Sequence, residues 1–506
     1  MLTSFRNRLD KAILIKELFE DTLYKRIILI AIILLLVAAN SYHLFNSSLA
    51  LGIDGYYYFV QCETLYTYGN LYFPTSTPLI LYFLYGLKFL FTNTILAIKI
   101  GAIILNLFLY IGIFLLVKKI TKNICLGVLA ICILELSKLH LYLIVEYINY
   151  LGAIAFIVWS VYLFILSIEN KKRYLIILSA LCFITALGSH RSTIPIVLTI
   201  AGLFLFYKLL QNLGERFDKK HIILILTVVL FTLFIPVILK AQPFINLPLI
   251  LTNEFTIIPQ FPRSVSIMPE LIILLILSPL VLFTVIFNQE KIKSKSGKII
   301  LGVISLWSIL ITLNPFIAFY SSFDSIGGRL RVLACIQVAI LVPGIVWLLK
   351  DLYPRIQWYI WGLIVPLMIW SFFNPLPRGA QNEYLARRER LITGLKSNSQ
   401  NIEENSFIIA VHGEQFVVTA ILGLPSQLKF PQENKYSSIY WLLNLVPPTF
   451  IDSSMTIIAK DPVGSYTVLV RNDKAFNQRL QNNDVRQALS RGNRHLDMFL
   501  TEVTKK

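Results

Sequence analysis

Long apolar stretches recur along the first three quarters of the chain and alternate with short polar segments. Each is about 20 residues long, the length that an α-helix needs to cross the hydrocarbon core of a bilayer. The pattern predicts an all-α polytopic membrane bundle of about eleven transmembrane helices. The predicted spans lie at roughly 26–45, 94–117, 124–138, 147–168, 174–188, 192–210, 221–240, 269–288, 299–316, 329–349 and 356–372.

Lysine and arginine gather in alternate short loops, and their positions set the predicted orientation. Such loops face the cytoplasm in multi-pass proteins. They lie at 118–122, 171–173, 216–220, 291–298 and 350–355. The alternation holds only if the apolar segment 78–92 lies at the membrane surface without crossing. The N-terminus is then predicted to be cytoplasmic, and the region 46–92 is the first outer loop.

The charge and the ends of the chain complete the predicted organisation. The formal net charge of +18 reflects the loop lysines and arginines, so it gives no argument for a nucleic-acid partner. Residues 1–25 carry apolar positions at helical spacing and predict an amphipathic helix on the cytoplasmic surface, with contact to a helical partner as the alternative. The transmembrane domain is predicted at 26–373, and a small extracytoplasmic α/β domain at 374–506.

The C-terminal domain has its own strand and helix signals. A buried strand, a helix with a glycine stop and a two-stranded hairpin are predicted, followed by a polar helical tail after Asp473. The segments are "SFIIAVH", "GEQFVVTAILG" and the pair "SMTIIAKD" and "SYTVLVRND". His412 and Glu414 lie between the first strand and the helix. Their roles stay open, between ordinary helix-start chemistry and contact with an acceptor.

An acidic residue in the first outer loop is the first candidate for chemistry. Asp54 lies between two glycines that allow close backbone approach, and aromatic residues follow it in "IDGYYYF". The segment "FPTSTPLILYFLYGLKFLF" then turns at prolines and leads into an apolar surface helix. The alternative is a solvated acid beside aromatic residues of the membrane boundary.

In this order and spacing, the two segments resemble those of membrane glycosyltransferases of the GT-C type, such as aminoarabinose transferases and protein O-mannosyltransferases. The resemblance covers most of residues 20–350. It implies transfer of a sugar from a polyprenyl-phosphate donor to a glycan, lipid or protein hydroxyl, with inversion. Asp54 would be the general base, and Tyr57 or Tyr58 would stack on a sugar or orient Asp54.

Glu146 is the second candidate, because an acid within an apolar stretch is costly unless it faces a cavity or a partner. Asn149 lies about one helical turn further on and is expected on the same face. The family often has an acid in the second outer loop, which implies acceptor or sugar binding by this pair. The alternatives are a polar pair buried between helices and a residue at the outer membrane boundary. Glu63 is out of phase with Asp54 and is expected to be structural or solvated.

Basic residues near two outer junctions are implied to hold the donor phosphate. In "LGSHRSTIPIVL" the resemblance assigns this role to Arg191, with His190 beside it. In "FDSIGGRLRVLACIQVAILVP" it assigns it to Arg329 or Arg331. Arginine suits phosphate because its planar fork makes two parallel charge-assisted hydrogen bonds. An arginine that anchors the membrane boundary is the alternative for Arg191. In the second segment, the alternative is that Asp324 pairs with one of the two arginines.

Neither the acidic residues nor the five cysteines form a metal-binding or disulfide pattern. We therefore expect a metal-independent enzyme without a cofactor. The absence of a retention signal favours a bacterial inner membrane as its location. A transporter or flippase for a lipid-linked substrate, a non-catalytic assembly subunit and an enzyme using a sugar-diphosphate lipid are the alternative functions.

Overall fold

The computed structural model describes residues 23–190, 193–216, 268–287, 295–313, 332–349, 381–427, 436–462 and 464–490. The chain is mostly helical, with a small C-terminal sheet. The helices before the sheet are α1 (Leu23–Phe45), α2 (Gly55–Tyr68), α3 (Leu79–Leu90), α4 (Thr94–Thr121), α5 (Ile124–Leu136), α6 (Lys138–Glu146), α7 (Ile148–Asn170), α8 (Arg173–Ser189), α9 (Thr193–Arg216), α10 (Met268–Phe287), α11 (Lys295–Leu313), α12 (Ala334–Leu349) and α13 (Asn382–Ser397).

Apolar helices indicate a membrane protein. Among the described residues, α4 and α7 are long and apolar enough to cross a bilayer. The pair α5 and α6, bent by 68°, makes a third span if the two helices are counted together. In the other apolar helices of the described residues the apolar stretch is shorter, at 10–17 residues, so these lengths do not support the predicted count of eleven. The predicted segments 1–25, 221–240 and 356–372 lie wholly or mostly outside the described residues.

Two compact units make up the chain. The first contains the described parts of Met1–His43, Ser76–Ile80 and Ala102–Pro377. The second contains Leu44–Thr75, Leu81–Gly101 and the described parts of Arg378–Lys506. Most of the predicted first outer loop therefore belongs with the C-terminal residues.

In the first unit, the break between α5 and α6 falls at Ser137. This residue has an extended backbone, and its hydroxyl donates a 2.7 Å hydrogen bond to Glu270 Oε1 on α10. Nearby, His140 on α6 is fully buried, with its Nε2 2.8 Å from Asn106 Oδ1 on α4. Polar side chains buried among apolar helices are held by partners of this kind because an unbonded one is costly.

The second unit contains a five-stranded mixed sheet. Its further elements are β1 (Ser406–Ile409), α14 (Glu414–Leu422), β2 (Ser426–Gln427), β3 (Ser438–Val446), β4 (Met455–Lys460), β5 (Tyr466–Arg471), α15 (Lys474–Leu480) and α16 (Asn483–Ser490). The strand order is β2-β1-β3-β5-β4. β1 is parallel to β2 and β3, whereas β5 is antiparallel to β3 and β4. The predicted strand, helix and hairpin are confirmed, and so is the helical tail as far as Ser490; its remainder lies outside the described residues.

Helices cover both faces of this sheet because side chains alternate along each strand. Ile408 packs on one face with Leu395 of α13 and Phe416 of α14. Phe407 packs on the opposite face with Phe476 of α15. Tyr56 of α2 joins the first of these cores, so the segment after Asp54 is part of the hydrophobic core of the second unit.

Candidate functional site

Asp54 is fixed by a histidine from the C-terminal part of the chain. It immediately precedes α2, where an aspartate usually caps the helix, yet its side chain makes no capping hydrogen bond. Instead, Asp54 Oδ1 lies 3.1 Å from Nε2 of His412. Among the described residues, Asp54 Oδ2 has no hydrogen-bond partner. One carboxylate oxygen is thus held while the other can accept a proton.

The pair remains reachable from solvent. The Asp54 side chain is 20% exposed, whereas that of His412 is 61% exposed. A carboxylate that is fixed but not enclosed can meet an incoming hydroxyl, which is the first geometric requirement for a general base. The partial positive charge at the start of α2 also favours a carboxylate there.

The location of His412 follows from the sheet. It comes three residues after β1, at the carboxyl end of a strand that has a parallel neighbour on each side. In open α/β sheets, ligands bind outside the carboxyl ends of parallel strands, where adjacent connections diverge. The "VHGEQF" junction that the sequence left open is therefore in a favourable position for a site.

Gly413 allows the loop after His412 to approach the Asp54 segment. Its backbone adopts φ +90°, a conformation that side chains disfavour. A Cβ at this position would lie 2.6 Å from Ile53 Cγ2 and 3.2 Å from the Ile53 carbonyl oxygen. The glycine is thus needed for its conformation and also for the close contact with the residue before Asp54.

Aromatic rings pack beside the pair. The ring centroid of Phe416 lies 5.4 Å from that of His412 and 5.3 Å from those of both Tyr57 and Phe73. Edge-to-face pairs at such distances are favourable. Gln61, which is fully buried, donates hydrogen bonds to the Tyr57 hydroxyl at 3.2 Å and to the Phe73 carbonyl at 2.7 Å. The rings of Tyr57, Phe73 and Phe416 thus form an apolar wall near the Asp54 carboxylate.

The predicted tyrosines have different environments. Tyr57 is half-buried and belongs to this wall, and burial raises the pKa of its phenol. The Tyr57 hydroxyl therefore stays neutral near pH 7 and accepts its hydrogen bond from Gln61. Tyr58 is buried, with its ring edge-to-face against that of Tyr57. Tyr57 is thus the tyrosine better placed to contact a ligand.

Glu414 anchors the loop that carries His412. It accepts a 2.6 Å hydrogen bond from Asn444 Nδ2 on β3 and pairs with Arg387 Nη2 on α13 at 3.3 Å. Asn444 is buried and accepts a 3.1 Å hydrogen bond from the Thr467 hydroxyl. This network explains Glu414 as a structural residue.

The predicted structural role of Glu63 agrees with its contacts. Its carboxylate forms an ion pair with Lys88 on α3 and accepts a hydrogen bond from the Thr94 hydroxyl at the start of α4. Glu63 therefore ties α2 to the two segments that follow it in the chain.

Glu146 and Asn149 do not share a helix, so the prediction that they lie one turn apart on a common face is wrong. Tyr147 interrupts the helix with φ −128° and ψ 58°, and it separates α6 from α7. Glu146 is buried at the end of α6, whereas Asn149 is half-buried in the first turn of α7. Both belong to the first unit.

His190 also lies in the first unit, at the end of α8. Its ring centroid is 4.8 Å from that of Tyr150, the residue after Asn149. The structure therefore brings together two of the predicted substrate-binding segments at the start of α7. Arg191, Arg329 and Arg331 lie outside the described residues. Among the described residues, no three histidine, cysteine or acidic side chains are grouped to hold a metal ion.

His412 is the residue of this site that sequence reasoning could not assign. Its only sequence signal was the strand-to-helix junction, because it follows Asp54 by 358 positions. Comparisons with family models and with curated protein sequences found no match to this chain.

Proposed function

We propose that the chain is an integral membrane glycosyltransferase that moves a sugar from a polyprenyl-phosphate donor to an extracytoplasmic hydroxyl. The observation that supports this best is the partly exposed Asp54 carboxylate with one oxygen held by His412. A fixed carboxylate with a second oxygen available is the arrangement that a general base needs. The order of motifs around Asp54 supplies the choice of reaction.

In the proposed reaction, the acceptor oxygen attacks the anomeric carbon while its proton passes to Asp54 Oδ2. The bond between the anomeric carbon and the phosphate oxygen breaks, and polyprenyl phosphate leaves with the electron pair. One displacement inverts the anomeric centre. With a proton on Nε2, His412 donates to Asp54 Oδ1 and keeps the carboxylate oriented. His412 is thus a positioning residue.

The finer features of the proposal come from the sequence. The bundle would cross the bacterial inner membrane about eleven times and place Asp54 and the C-terminal domain outside. Arg191 and either Arg329 or Arg331 would hold the phosphate, because a leaving phosphate needs fixed positive charge. Glu146, Asn149 and His190 would position the acceptor or the sugar. The reaction would need no metal.

The test uses the full chain in nanodiscs with a panel of radiolabelled polyprenyl-phosphate sugars, with and without EDTA. We expect release of free polyprenyl phosphate that survives EDTA and is abolished by Asp54→Asn. This substitution keeps the shape of the side chain and removes the base. Glu404→Gln is the matched control, since Glu404 is an exposed acid of the same unit.

The outcomes separate the functional classes. Turnover that is equal in Asp54→Asn and Glu404→Gln would remove Asp54 from the mechanism. A folded protein that releases no polyprenyl phosphate from any donor would refute the proposal and favour the diphosphate-lipid enzyme, the transporter or the non-catalytic subunit.

A further inference from the structure

The first unit contains a large cavity that the proposed reaction does not use. Its volume is about 1390 Å³, and helices α4, α7, α8, α9, α11 and α12 line it. Pockets for drug-sized ligands are about 300–1,000 Å³, so this cavity can take a longer apolar molecule. Most of its lining is aliphatic or aromatic, as at Ile157, Phe164, Phe183 and Ile300.

One end of the cavity is basic. Lys118, Lys119 and Lys122, at the end of α4, line it together with Glu169 near the end of α7. Lys119 Nζ pairs with Glu169 at 2.9 Å, and the Ser296 hydroxyl at the start of α11 donates to the same carboxylate at 2.6 Å. Among the described residues that line this end, lysines outnumber acidic side chains, so the described part of the lining is predominantly basic.

About 16 Å from Ser296 along α11, two described lining side chains are polar but uncharged. Trp307 Nε1 and Gln337 Nε2 line the cavity, are buried, and have no hydrogen-bond partner among the described residues. Donors of this kind favour ordered water over an alkyl chain. The apolar part of the cavity therefore ends before these two side chains.

The length of the apolar part matches one leaflet of a bilayer. Along α7 the lining runs from Ile154 to Glu169, which is about 22 Å at the rise of an α-helix. Half of a bilayer, including its headgroup region, is about 20–22 Å thick. A phospholipid of one leaflet fits this length better than a polyprenyl chain, which is longer than one leaflet.

From these features we infer that the cavity binds an anionic diacyl phospholipid, with its phosphate at Lys118 and Lys122 and an acyl chain between α7 and α11. Basic pockets between transmembrane helices on the cytoplasmic side are a known way of holding anionic headgroups. Loop 118–122 is one of those predicted to face the cytoplasm, so the site would take a lipid from the inner leaflet.

The test measures the lipid that stays bound to the full chain, by native mass spectrometry from nanodiscs that contain equal amounts of phosphatidylglycerol and phosphatidylcholine. We expect wild type to retain phosphatidylglycerol. The double variant Lys118→Gln/Lys122→Gln should weaken this retention roughly 30-fold, the effect of two lysines near an anionic lipid. The control Lys171→Gln/Lys172→Gln removes the same charge from a neighbouring exposed loop and should retain the lipid.

Two further variants test the inference independently, in case the double variant does not fold. Lys122→Gln changes an exposed side chain and should weaken retention about 5-fold. Ala201→Phe, which places a ring in the cavity, should displace the lipid without a change in charge. Equal retention of the two phospholipids, equal loss in the control variant, or displacement of phosphatidylglycerol by added polyprenyl phosphate would each overturn the inference.

Discussion

Substitution of Gly413 tests whether the approach of the His412 loop to Asp54 matters for transfer. Gly413 has φ +90° and ψ −42°, and a residue held in such a conformation costs about 1–3 kcal/mol. In Gly413→Ala the new Cβ would also overlap Ile53 Cγ2 at 2.6 Å. Because Ile53 precedes Asp54, relief of this overlap would move both members of the hydrogen-bonded pair.

Gly423 offers a matched control at the other end of α14. It too has a positive φ, +68°, but a Cβ there would meet nothing within 4 Å. Gly423→Ala therefore carries only the conformational cost, about 1 kcal/mol. The two variants add the same methyl group at opposite ends of the same helix and differ mainly in the contact with Ile53.

Thermal unfolding followed by tryptophan fluorescence measures the loss of stability, because Trp441 is buried in the core of the second unit. At about 2–4 °C per kcal/mol, the midpoint should fall by roughly 2–12 °C in Gly413→Ala and by roughly 2–4 °C in Gly423→Ala. Transfer is then measured at a temperature at which both proteins are folded. We expect a fall of about 10- to 150-fold in Gly413→Ala, equivalent to the loss of a hydrogen bond to a charged group.

Two results would refute this reasoning. Full transfer by folded Gly413→Ala would mean that the contact between His412 and Asp54 is not needed. An equal loss of transfer in Gly423→Ala would mean that the conformation of α14, and not the approach to Ile53, controls the rate.

Three further predictions concern the same unit. His412→Ala should lower transfer by about 10- to 150-fold with little loss of stability, because the ring is mostly exposed. Steady-state rates and the unfolding midpoint check this. An unchanged rate would show that His412 does not position Asp54. Glu63→Gln should lower stability by about 1–3 kcal/mol, since it leaves the buried Lys88 ammonium without its charged partner; a midpoint equal to that of wild type would contradict this. The pKa of Glu403 lies below its ordinary value, first because Ser438 donates a hydrogen bond to it and also because Ser437 and Arg471 interact with it. The Glu403 carboxylate therefore contributes to stability above its unfolded pKa, about 4.3, and this contribution is lost as the pH falls through the folded pKa. When the unfolding midpoint is plotted against pH, Glu403→Gln should make its fall at acid pH less steep.

The local elements of the C-terminal domain could be predicted because their signals are local. The short apolar run of β1, the two runs of β4 and β5 joined by a turn, and the glycine that ends α14 specify strand or helix within a few residues. β3 was missed, although its apolar run "SIYWLLNLV" is long, because strand and helix are hard to tell apart in a short buried run. The position of Asp54 in a loop after the first apolar helix could likewise be predicted from the sequence.

Hydrogen-bond partners that lie far apart along the chain could not be predicted in this way. Nothing near Asp54 in the sequence indicates that His412 binds it, since hydrogen bonds between distant segments leave no periodic signal. The face shared by Glu146 and Asn149 was mispredicted for a local reason, because Tyr147 carries no glycine or proline signal for a helix break. Arg191, Arg329 and Arg331 remain predictions from the sequence.

The separation of 358 positions between Asp54 and His412 has a consequence for the synthesis of the protein. Chains grow at about 5–20 residues per second, so Asp54 leaves the ribosome roughly 20–70 s before its partner. During that interval α2 has no C-terminal sheet to pack against, and the aromatic side chains that later join its core are exposed. A chain that stops before His412 would carry the carboxylate without the histidine, so the pair can form only after His412 has been synthesised.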